Sequence, residues 1–376
     1  MILDKHRLKL KILNSIGKKD KKRKILIVES DDWGGIRIPN KTTKDLLIQL
    51  GDNMNADSFL KYDSLESYFD VKSLENVLLK HVDSNNRNPI ITANFVMKNP
   101  LFNKDYFEGF KYELFTETYK NKIYLDDKVF EIIKKMIKNK LIFPQLHCLQ
   151  HISKNRWEND VRDGVQWTKT AYSYHMIGTY NSFTQTNKFG YMDTYNQNFA
   201  TQSELLDEIC EAQSLFTSIF GFPSKSLVPS CYVWNDKLNS HLNKCGISIL
   251  QMGNFELKQS PKNKKYSRKI RYTFQKNKGI IYTTRNCELD LFTKSTLKEK
   301  EIMLQNCIND VKLAFKCGKP AIVNFHRANI SSRLSKQNME ENLMLLDKFF
   351  EILEREFSNL EYSTSVKLVG EMFDEK

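Results

Sequence analysis

Seven short apolar segments, rich in β-branched residues and bounded by polar or turn residues, constrain the fold of this 376-residue chain more than any other feature. Between most of them, apolar residues recur every three or four positions. Continuous apolar runs are typical of strands buried on both faces, and their alternation with amphipathic helices indicates a parallel sheet, either a barrel or a doubly wound sheet. The segments are residues 24–30, 89–96, 141–147, 225–230, 247–252, 279–284 and 320–326.

The helical periodicities between these strands predict the outer layer of the fold. Each has apolar residues on one face of a 3.6-residue repeat, as expected for a helix that packs against a sheet. The clearest examples are Val129, Ile132, Ile133, Met136 and Ile137; Leu205, Ile209, Ala212, Leu215 and Phe216; Ile302, Leu304, Ile308, Val311 and Ala314; and Leu343, Leu346, Phe349, Phe350 and Leu353.

Two intervals interrupt this alternation. Residues 153–198 are polar and aromatic with weak periodicity, and they directly follow the third strand segment. Residues 255–278 are strongly basic where a helix would be expected. We interpret both as long excursions from the sheet, and long loops in compact domains are often functional. The aromatic residues of the first interval could equally pack within their own loop.

The net charge of +13 is concentrated in two short segments. Residues 1–24 carry +8 and residues 258–278 carry +9, which leaves −4 for the rest of the chain. Such blocks are commonly solvated tails or loops. The alternative is contact with an anionic membrane surface, a phosphate-linked substrate or nucleic acid. Nucleic acid is the weakest of these because the blocks lack the interleaved aromatic residues of a stacking platform.

The amino-terminal segment bears on localisation. Leu8, Ile12, Leu13 and Ile16 fall loosely on one helical face among lysines, an arrangement that permits peripheral attachment to a membrane. No apolar run is long enough to span a membrane, and no signal-peptide pattern is present. Seven scattered cysteines without a C-x-x-C pair argue against a disulfide framework. We therefore predict a cytoplasmic protein with a basic segment at 1–23 and one barrel domain over 24–376.

The ends of the predicted strands carry the chemistry. Catalytic groups in parallel α/β folds gather at the carboxyl ends of the strands. The first segment ends at Asp31 and Asp32, the third ends at His147 with His151 four residues on, and the seventh ends at His326. Two imidazoles and one carboxylate form a familiar class of zinc or iron site. Adjacent acidic residues after a strand also commonly serve only as turn or helix-cap residues.

The other four histidines show no such placement. They are His6, His81, His175 and His241. Of these, His175 lies in the first excursion, from which it could approach the strand ends.

Four motifs carry a resemblance to a known family. They are SDDW at 30–33, HCLQH at 147–151, VPSCYVW at 228–234 and VNFH at 323–326. The chain resembles the polysaccharide deacetylase (NodB-homology) family of carbohydrate esterases, and most closely a divergent polysaccharide (de)acetylase-like branch with a first motif ESDDWG-x-IR-x-P, matched by residues 29–39. The resemblance implies a distorted (β/α)7 barrel of parallel strands with outer helices.

The resemblance also implies roles for the strand-end residues. Asp31 matches the catalytic base and His326 the general acid. Asp32, His147 and His151 match the ligands of a divalent metal, with Zn²⁺ the first expectation and Co²⁺, Mn²⁺, Fe²⁺ or Ni²⁺ the alternatives. The implied reaction is removal of an N- or O-acetyl group from an amino sugar, polysaccharide or glycan precursor.

Two departures from the family pattern affect these roles. Cys148 stands where a serine or threonine usually follows the first metal histidine. Leu227, two residues before Pro229, stands where the family has an arginine that orients the catalytic base. If the base is to function, another cation must take that place, and Arg37 and Arg285 are the candidates.

Two further roles stay open at the sequence level. A backbone amide between Ser230 and Tyr232 matches the oxyanion donor, and Asp290, Glu288 or another carboxylate would hold the ring of His326. The altered third motif also fits a non-catalytic glycan-binding protein, and the barrel superfamily includes glycoside hydrolases, so both remain alternatives.

Overall fold

The computed structural model describes residues 2–103, 109–185, 189–260 and 265–373, with side chains from residue 8 onward. The strands are β1 (Lys24–Trp33), β2 (Ile91–Val96), β3 (Lys98–Leu101), β4 (Lys111–Leu114), β5 (Ile142–Cys148), β6 (Ser226–Leu227), β7 (Ile249–Met252), β8 (Phe255–Gln259), β9 (Tyr266–Ile270), β10 (Gln275–Asn277), β11 (Ile280–Thr284), β12 (Cys287–Glu288), β13 (Ala321–Asn324) and β14 (Leu360–Tyr362).

Helices cover most of the intervening chain. They are α1 (Ile2–Ser15), α2 (Lys41–Gln49), α3 (Ser58–Tyr62), α4 (Tyr68–Leu78), α5 (Phe115–Thr118), α6 (Val129–Lys138), α7 (Lys154–Arg162), α8 (Gln166–Ser173), α9 (Tyr180–Thr184), α10 (Gln202–Phe220), α11 (Asn239–Leu242), α12 (Leu297–Lys316), α13 (Lys336–Glu356) and α14 (Ser365–Phe373). Short 3₁₀ turns occur at Met54–Ala56, Ser230–Tyr232, Asn243–Cys245, Leu291–Thr293 and Arg327–Asn329.

All seven predicted strands form, and they pair in parallel in the order β11-β7-β6-β5-β2-β1-β13. The next strand, β12, pairs with β13 at one edge of the sheet, and only two residues separate it from β11, which lies next to the outermost strand β10 at the other edge. The amide of Arg285 donates to the Met252 carbonyl of β7, and the amide of Asn286 donates to the Ile322 carbonyl of β13. The sheet therefore curls back on itself as a distorted (β/α) barrel, which confirms the predicted fold class.

The inward face of β1 changes from apolar to charged along the strand. Ile25 and Ile27 belong to a small cluster, whereas Leu26 and Val28 pack in the main core. Because alternate residues of a strand share a face, Glu29 and Asp31 continue the line of Ile25 and Ile27. The small cluster contains Ile249 of β7, Ile322 of β13, and Leu368 and Val369 of α14. The barrel is thus closed by apolar side chains at one end and polar at the other.

The predicted outer helices form over the expected residues as α6, α10, α12 and α13. In α13, Leu346, Phe349, Phe350 and Leu353 are fully buried, and each such side chain contributes about 1.5–3 kcal/mol to folding by leaving water. Capping boxes begin α10 and α12, so the chain fixes these helix starts locally. One prediction was wrong in detail: Ile302, expected on the buried face, is 53% exposed.

The apolar residues predicted to share one face of the basic segment do not have the same environment. Leu10 and Leu13 are buried, and α1 packs against α12. Leu8, Ile12 and Ile16 are exposed. Leu13 therefore belongs to the face that contacts the barrel, because it lies 100° or more from Leu8 and Ile12 on a helix of 3.6 residues per turn. The boundary between residues 23 and 24 stays a prediction.

Both excursions contain more regular structure than their sequences predict. Residues 153–198 include α7, α8 and α9, whose short length hid their periodicity. In the second interval, β8 and β9 form an antiparallel hairpin, and β10 pairs with β11. The helix expected in this position is therefore replaced by strands.

The cysteines depart from expectation at one pair. Cys210 of α10 and Cys245 form a disulfide with a Cα–Cα distance of 5.2 Å. Their separation of 35 residues gives no local sign of this contact, which results from the approach of α10 to the turn after α11. Among the helices of the described ranges, none combines the length and apolar character needed to cross a membrane.

Candidate active site

A cavity of about 840 Å³ lies at the carboxyl ends of the barrel strands. Side chains from β1, β5 and the turn after β13 contribute Asp31, Asp32, His147 and His326 to its wall. The convergence follows from the parallel sheet, because all these strands end at the same rim. The remaining lining residues are His151, Arg37, Asp57, Phe59, Tyr180, Phe183, Thr184, Phe189, Gly190, Met192, Pro229, Cys231, Tyr232 and Leu257.

A bulge near the end of β1 brings both aspartates to this cavity. Consecutive residues in a regular strand point to opposite faces, so only one of the two would face inward. The register between β1 and β2 shifts between Ser30 and Trp33, where β1 has one extra residue. Asp32 also adopts a left-handed backbone conformation with φ of 72°. Such a conformation is unfavourable for a non-glycine residue, and it occurs most often where function requires it.

Asp32 faces the two histidines of the third strand end. The Nε2 atoms of His147 and His151 each lie 3.3 Å from Asp32 Oδ1. The Nδ1–H of His147 donates to the Val228 carbonyl at 2.8 Å, which leaves the lone pair of Nε2 directed toward Asp32. Each of the three residues offers one possible ligand atom, and these three atoms all lie within 4.8 Å of one another.

This triad fits a divalent metal ion. Asp32 Oδ1 is buried, and within the described part of the chain it receives no hydrogen bond. A buried carboxylate oxygen without a donor is costly, and a cation would satisfy it. Burial lowers the pKa of His151 to about 3, so its imidazole is neutral at neutral pH, the form that ligates metals. Two imidazole nitrogens and one carboxylate match the ligand preferences of zinc and related ions.

Asp31 has the opposite environment. Arg285 binds it through two parallel hydrogen bonds, from Nη1 to Oδ2 at 2.6 Å and from Nη2 to Oδ1 at 2.7 Å. Asn94 of β2 donates a further bond to Oδ1 at 2.8 Å. Of the two candidate cations, Arg285 therefore contacts Asp31, and in the described structure Arg37 does not.

These contacts fix the charge of Asp31. Burial alone would raise its pKa, but the adjacent guanidinium of Arg285 and its hydrogen bonds hold the pKa of Asp31 well below the usual range. A carboxylate oxygen can accept two hydrogen bonds. Oδ1 accepts two, whereas Oδ2 accepts one from Arg285 and lies 3.8 Å from His326 Nε2. Oδ2 is thus the oxygen with capacity left toward the cavity.

His326 is held by Asp290, one of the two carboxylates proposed from the sequence. Its Nδ1 lies 2.6 Å from Asp290 Oδ2, and its amide donates to Asp290 Oδ1 at 2.7 Å. Burial lowers the pKa of His326, but the carboxylate of Asp290 outweighs burial and raises it to about 10. The imidazolium form therefore persists at neutral pH with Nε2–H directed toward Asp31. Glu288, the other candidate, accepts bonds from Asn324 instead.

Arg37 belongs to a separate buried charge network. It donates from Nε to Asp63 at 3.3 Å and approaches Asp32 Oδ2 at 3.5 Å. Asp63 in turn accepts from Arg327, which also pairs with Glu66 at 2.9 Å. Glu66 accepts the Gly34 amide at 2.9 Å. These contacts fix the turn that follows β1, and with it the position of Asp32.

Residues 230–232, the segment expected to provide the oxyanion donor, line the cavity only in part. Cys231 and Tyr232 line it, whereas Ser230 is fully buried. The Tyr232 amide already donates to the Pro229 carbonyl at 2.9 Å, which argues against that amide as a donor to substrate. The Tyr232 hydroxyl accepts from Arg285 at 3.1 Å. Cys231 and Tyr232 both have φ of 55°, so the backbone is strained beside the cavity.

The structure also places His175 and Cys148, two residues considered from the sequence. His175 contributes to a different cavity, together with Phe102, and does not line this one. Cys148 is buried directly after His147, and burial raises the pKa of its thiol well above the usual value. It therefore stays protonated and has no part in charge balance at the site.

Four polar residues that support Asp31 were missed from the sequence. Asn94, Gln251 and Asn324 each stand in an otherwise apolar strand segment, and Glu29 precedes the aspartates. Asn324 accepts from Arg285 at 2.7 Å, Glu29 accepts from Arg285 Nε at 2.9 Å, and Gln251 accepts from Asn94 at 2.8 Å. A single amide or acid within a buried strand must be hydrogen-bonded, and this signal could have found them.

Both excursions contribute to the wall of the cavity. The first provides Tyr180, Phe183 and Phe189, and the second provides Leu257. Phe59 of α3 completes an aromatic wall and contacts the His326 ring edge-on with centroids 5.3 Å apart. The interpretation of the excursions as additions around the strand ends is consistent with these positions.

Comparisons with known proteins concern the fold only. No protein-family model and no curated protein matches the chain. Solved structures with a similar chain path include PuuE allantoinase, at 9% identity over 94% of this chain and 93% of that chain with a TM-score of 0.48. A probable polysaccharide deacetylase from Pseudomonas aeruginosa PAO1 has 10% identity over 94% of this chain and 92% of that chain, with a TM-score of 0.47.

A third structure differs in size. 4-α-glucanotransferase from Thermococcus litoralis has 8% identity over 92% of this chain, with a TM-score of 0.44, and the chain spans 40% of its length. Identities and scores in this range carry no argument about activity, so the function has to be argued from the site.

Proposed function

We propose that this protein is a metal-dependent hydrolase that removes an acetyl group, by N- or O-deacetylation, from an amino sugar or glycan. The observation that carries the proposal is the contrast between two adjacent carboxylates in one cavity. In the described part of the chain, Asp32 Oδ1 has no hydrogen-bond donor and lies 3.3 Å from the Nε2 atoms of His147 and His151, whereas Asp31 is ionised and held by Arg285. Asp32 is thus suited to bind a cation, and Asp31 is suited to accept a proton.

In this proposal Asp32, His147 and His151 hold the metal, with Zn²⁺ the first expectation. A divalent ion at such a site supplies Lewis-acid chemistry, which makes water a better nucleophile and polarises a carbonyl group. The three side chains leave one side of the triad open to the cavity, as a catalytic rather than structural site requires.

Asp31 and His326 supply the proton transfers. Asp31 Oδ2 accepts the proton of the attacking water, and Arg285 and Asn94 keep the carboxylate aligned while it does so. A base with so low a pKa is weak in the free protein, but its anion is guaranteed at neutral pH. His326, protonated and fixed by Asp290, then donates its Nε2 proton to the departing amine or alcohol. The 3.8 Å between Nε2 and Oδ2 lets both groups reach the same reacting centre.

The shape and lining of the cavity suit a sugar. Its volume of about 840 Å³ lies in the range of small-molecule sites, which is roughly 300–1,000 Å³. Phe59, Tyr180, Phe183, Phe189 and Tyr232 offer apolar faces, and the charged and imidazole side chains at the strand ends line the same cavity. An acetylated hexosamine has both an apolar ring face and an amide to be attacked.

The test is acetate release by metal-reconstituted protein from a panel of N- and O-acetylated sugars, nucleotide sugars and glycan fragments, with Asp31→Asn as the inactive control. Acetate that appears with the parent protein and not with the variant supports the proposal. Reducing-sugar release without acetate would identify a glycosidase instead. Sugar binding without any acetate across the panel would identify a glycan-binding protein, and either result overturns the proposal.

A further inference from the structure

The two basic segments of the sequence meet in the folded chain. Lys9 of α1 places its Nζ 3.6 Å from the ring centroid of Phe255 in β8. The guanidinium of Arg268 in β9 lies 5.5 Å from the same centroid. After α1, a Cβ on Gly17 would lie 3.2 Å from the Thr273 carbonyl, so the chain also passes close to the end of the hairpin. Segments separated by about 250 residues thus form one surface.

We name this surface the basic face and define it as residues 8–19 with the described parts of the hairpin, residues 255–260 and 265–270. Most of the cationic side chains on it are exposed. They are Lys11, Lys18, Lys19, Lys258, Lys265, Arg268 and Lys269. Among the ion pairs of the described residues here, Asp236 pairs with Lys269, and the buried Glu256 pairs with Arg271.

The basic face also exposes large aliphatic side chains. Leu8 is 59% exposed, Ile12 is 53% exposed and Ile16 is 38% exposed. Leu8 and Ile12, four residues apart, lie on one side of α1 away from the buried Leu10, and Ile16 directly follows the end of the helix. Ile270 at the end of β9 is 57% exposed. Leucine and isoleucine side chains that the core does not use, set among lysines, are the combination found in helices that lie on membranes.

The face is close to the proposed active site. Phe255 and Leu257 point to the same side of β8, because alternate residues of a strand share a face. Lys9 covers Phe255, and Leu257 lines the cavity. Two residues along a strand span about 7 Å, so the residue that Lys9 covers and the residue that lines the cavity are about that far apart on β8.

We propose that the basic face docks this protein on an anionic lipid surface. Leu8, Ile12, Ile16 and Ile270 enter the boundary between headgroups and acyl chains, and the surrounding lysines and arginines contact the headgroups. Charge complementarity selects an anionic partner, and the aliphatic side chains favour lipid over nucleic acid. Of the aromatic rings in the described residues of this face, Phe255 is covered by Lys9 and Arg268, and Tyr266 contacts Phe189 edge-on. Both rings already have partners, which disfavours base stacking.

The proposal is tested by sedimentation of the full-length protein with vesicles of phosphatidylcholine alone or mixed with phosphatidylserine. We expect binding to the mixed vesicles only, and weaker binding when the salt concentration is raised from about 0.1 M to about 1 M, which shortens the Debye length from about 10 Å to about 3 Å. Lys11→Ala and Arg268→Ala should each weaken binding about fivefold, the effect of one cation near such a surface. Leu8→Ser with Ile12→Ser should weaken it further.

Matched control variants test whether vesicle binding depends on this surface or on exposed cations and apolar side chains in general. Leu125→Ser with Met344→Ser changes two side chains that are 61% and 50% exposed elsewhere on the molecule, and Lys138→Ala with Lys169→Ala removes two exposed cations. These controls should bind as the parent does. Equal binding to neutral vesicles, unchanged binding of the Leu8 and Ile12 variant, or competition by duplex DNA that the aliphatic substitutions do not affect would each overturn the proposal.

Discussion

Asp31 and Asp32 are neighbours in the sequence and equally buried, yet their surroundings are opposite in kind. Asp31 accepts three hydrogen bonds, two of them from Arg285. Asp32 Oδ1 accepts none within the described structure and faces two imidazole nitrogens at 3.3 Å. A buried carboxylate is tolerated only when its charge is compensated. The protein supplies Arg285 to both oxygens of Asp31, whereas Arg37 approaches only Oδ2 of Asp32 and leaves Oδ1 open to a cation. This difference underlies the roles proposed for the two carboxylates.

The largest effect is expected on the Asp32 side. Asp32→Ala and His151→Ala each remove one of three ligands, so the purified proteins should lose bound divalent metal, and acetate release should fall to background. Elemental analysis of the metal content checks the first statement. If both variants retain as much metal as the parent protein, Asp32 and His151 are not metal ligands.

The next effect isolates the Asp31 side. Asp31→Asn keeps the size and most hydrogen bonds of the side chain but removes the charge that accepts a proton. We expect kcat to fall roughly 10²–10⁴-fold, the contribution typical of a general base, with metal content unchanged. If the variant instead loses its metal, the two carboxylates are not functionally separate.

Arg285 connects Asp31 to neighbouring strands of the barrel and has a matched control. Arg285→Gln leaves the buried carboxyl groups of Asp31 and Glu29 without their guanidinium partner, and breaking such a pair costs about 3–5 kcal/mol of stability. Arg271, which is equally buried and pairs with Glu256 in the hairpin region, provides the control variant Arg271→Gln. Both substitutions should lower the midpoint of urea denaturation, but only Arg285→Gln should also lower kcat of the remaining folded protein. Equal activity of the two variants would remove Arg285 from the site.

The smallest effect is a displacement of the pH profile. Because Asp290 raises the pKa of His326 to about 10, the protonated acid is present below that pH and lost above it. Asp290→Asn removes the opposing charge, so burial should lower the pKa of His326 and the alkaline limb of kcat/KM should move to lower pH. The raised pKa of His326 also stabilises the folded state. This stabilisation is complete below about pH 6.5 and is lost as the pH rises through about 10. An alkaline limb at the same pH in the variant would exclude His326 as the group that titrates.

Particular residues show how far the sequence could be taken. The seven strands and the convergence of Asp32, His147 and His151 at one rim were predictable, because apolar runs are local and parallel strands share a direction. The choice between Arg37 and Arg285 was not, since Arg285 follows β11 and reaches Asp31 only when the sheet closes between β11 and β12. The disulfide between Cys210 and Cys245 and the helices of residues 153–198 had no clear local signal either.

The sequence by itself determined the parallel α/β architecture, the types of side chain at the strand ends and the presence of two basic segments. Tertiary structure alone decided that the bulge and the left-handed backbone of Asp32 bring both aspartates to one cavity, that Asp290 rather than Glu288 holds His326, and that the basic segments form one face. The physical reason is that strands and helices follow from neighbouring residues, whereas the compensation of a buried charge depends on donors far away in the chain, which only the closed barrel brings within hydrogen-bonding distance.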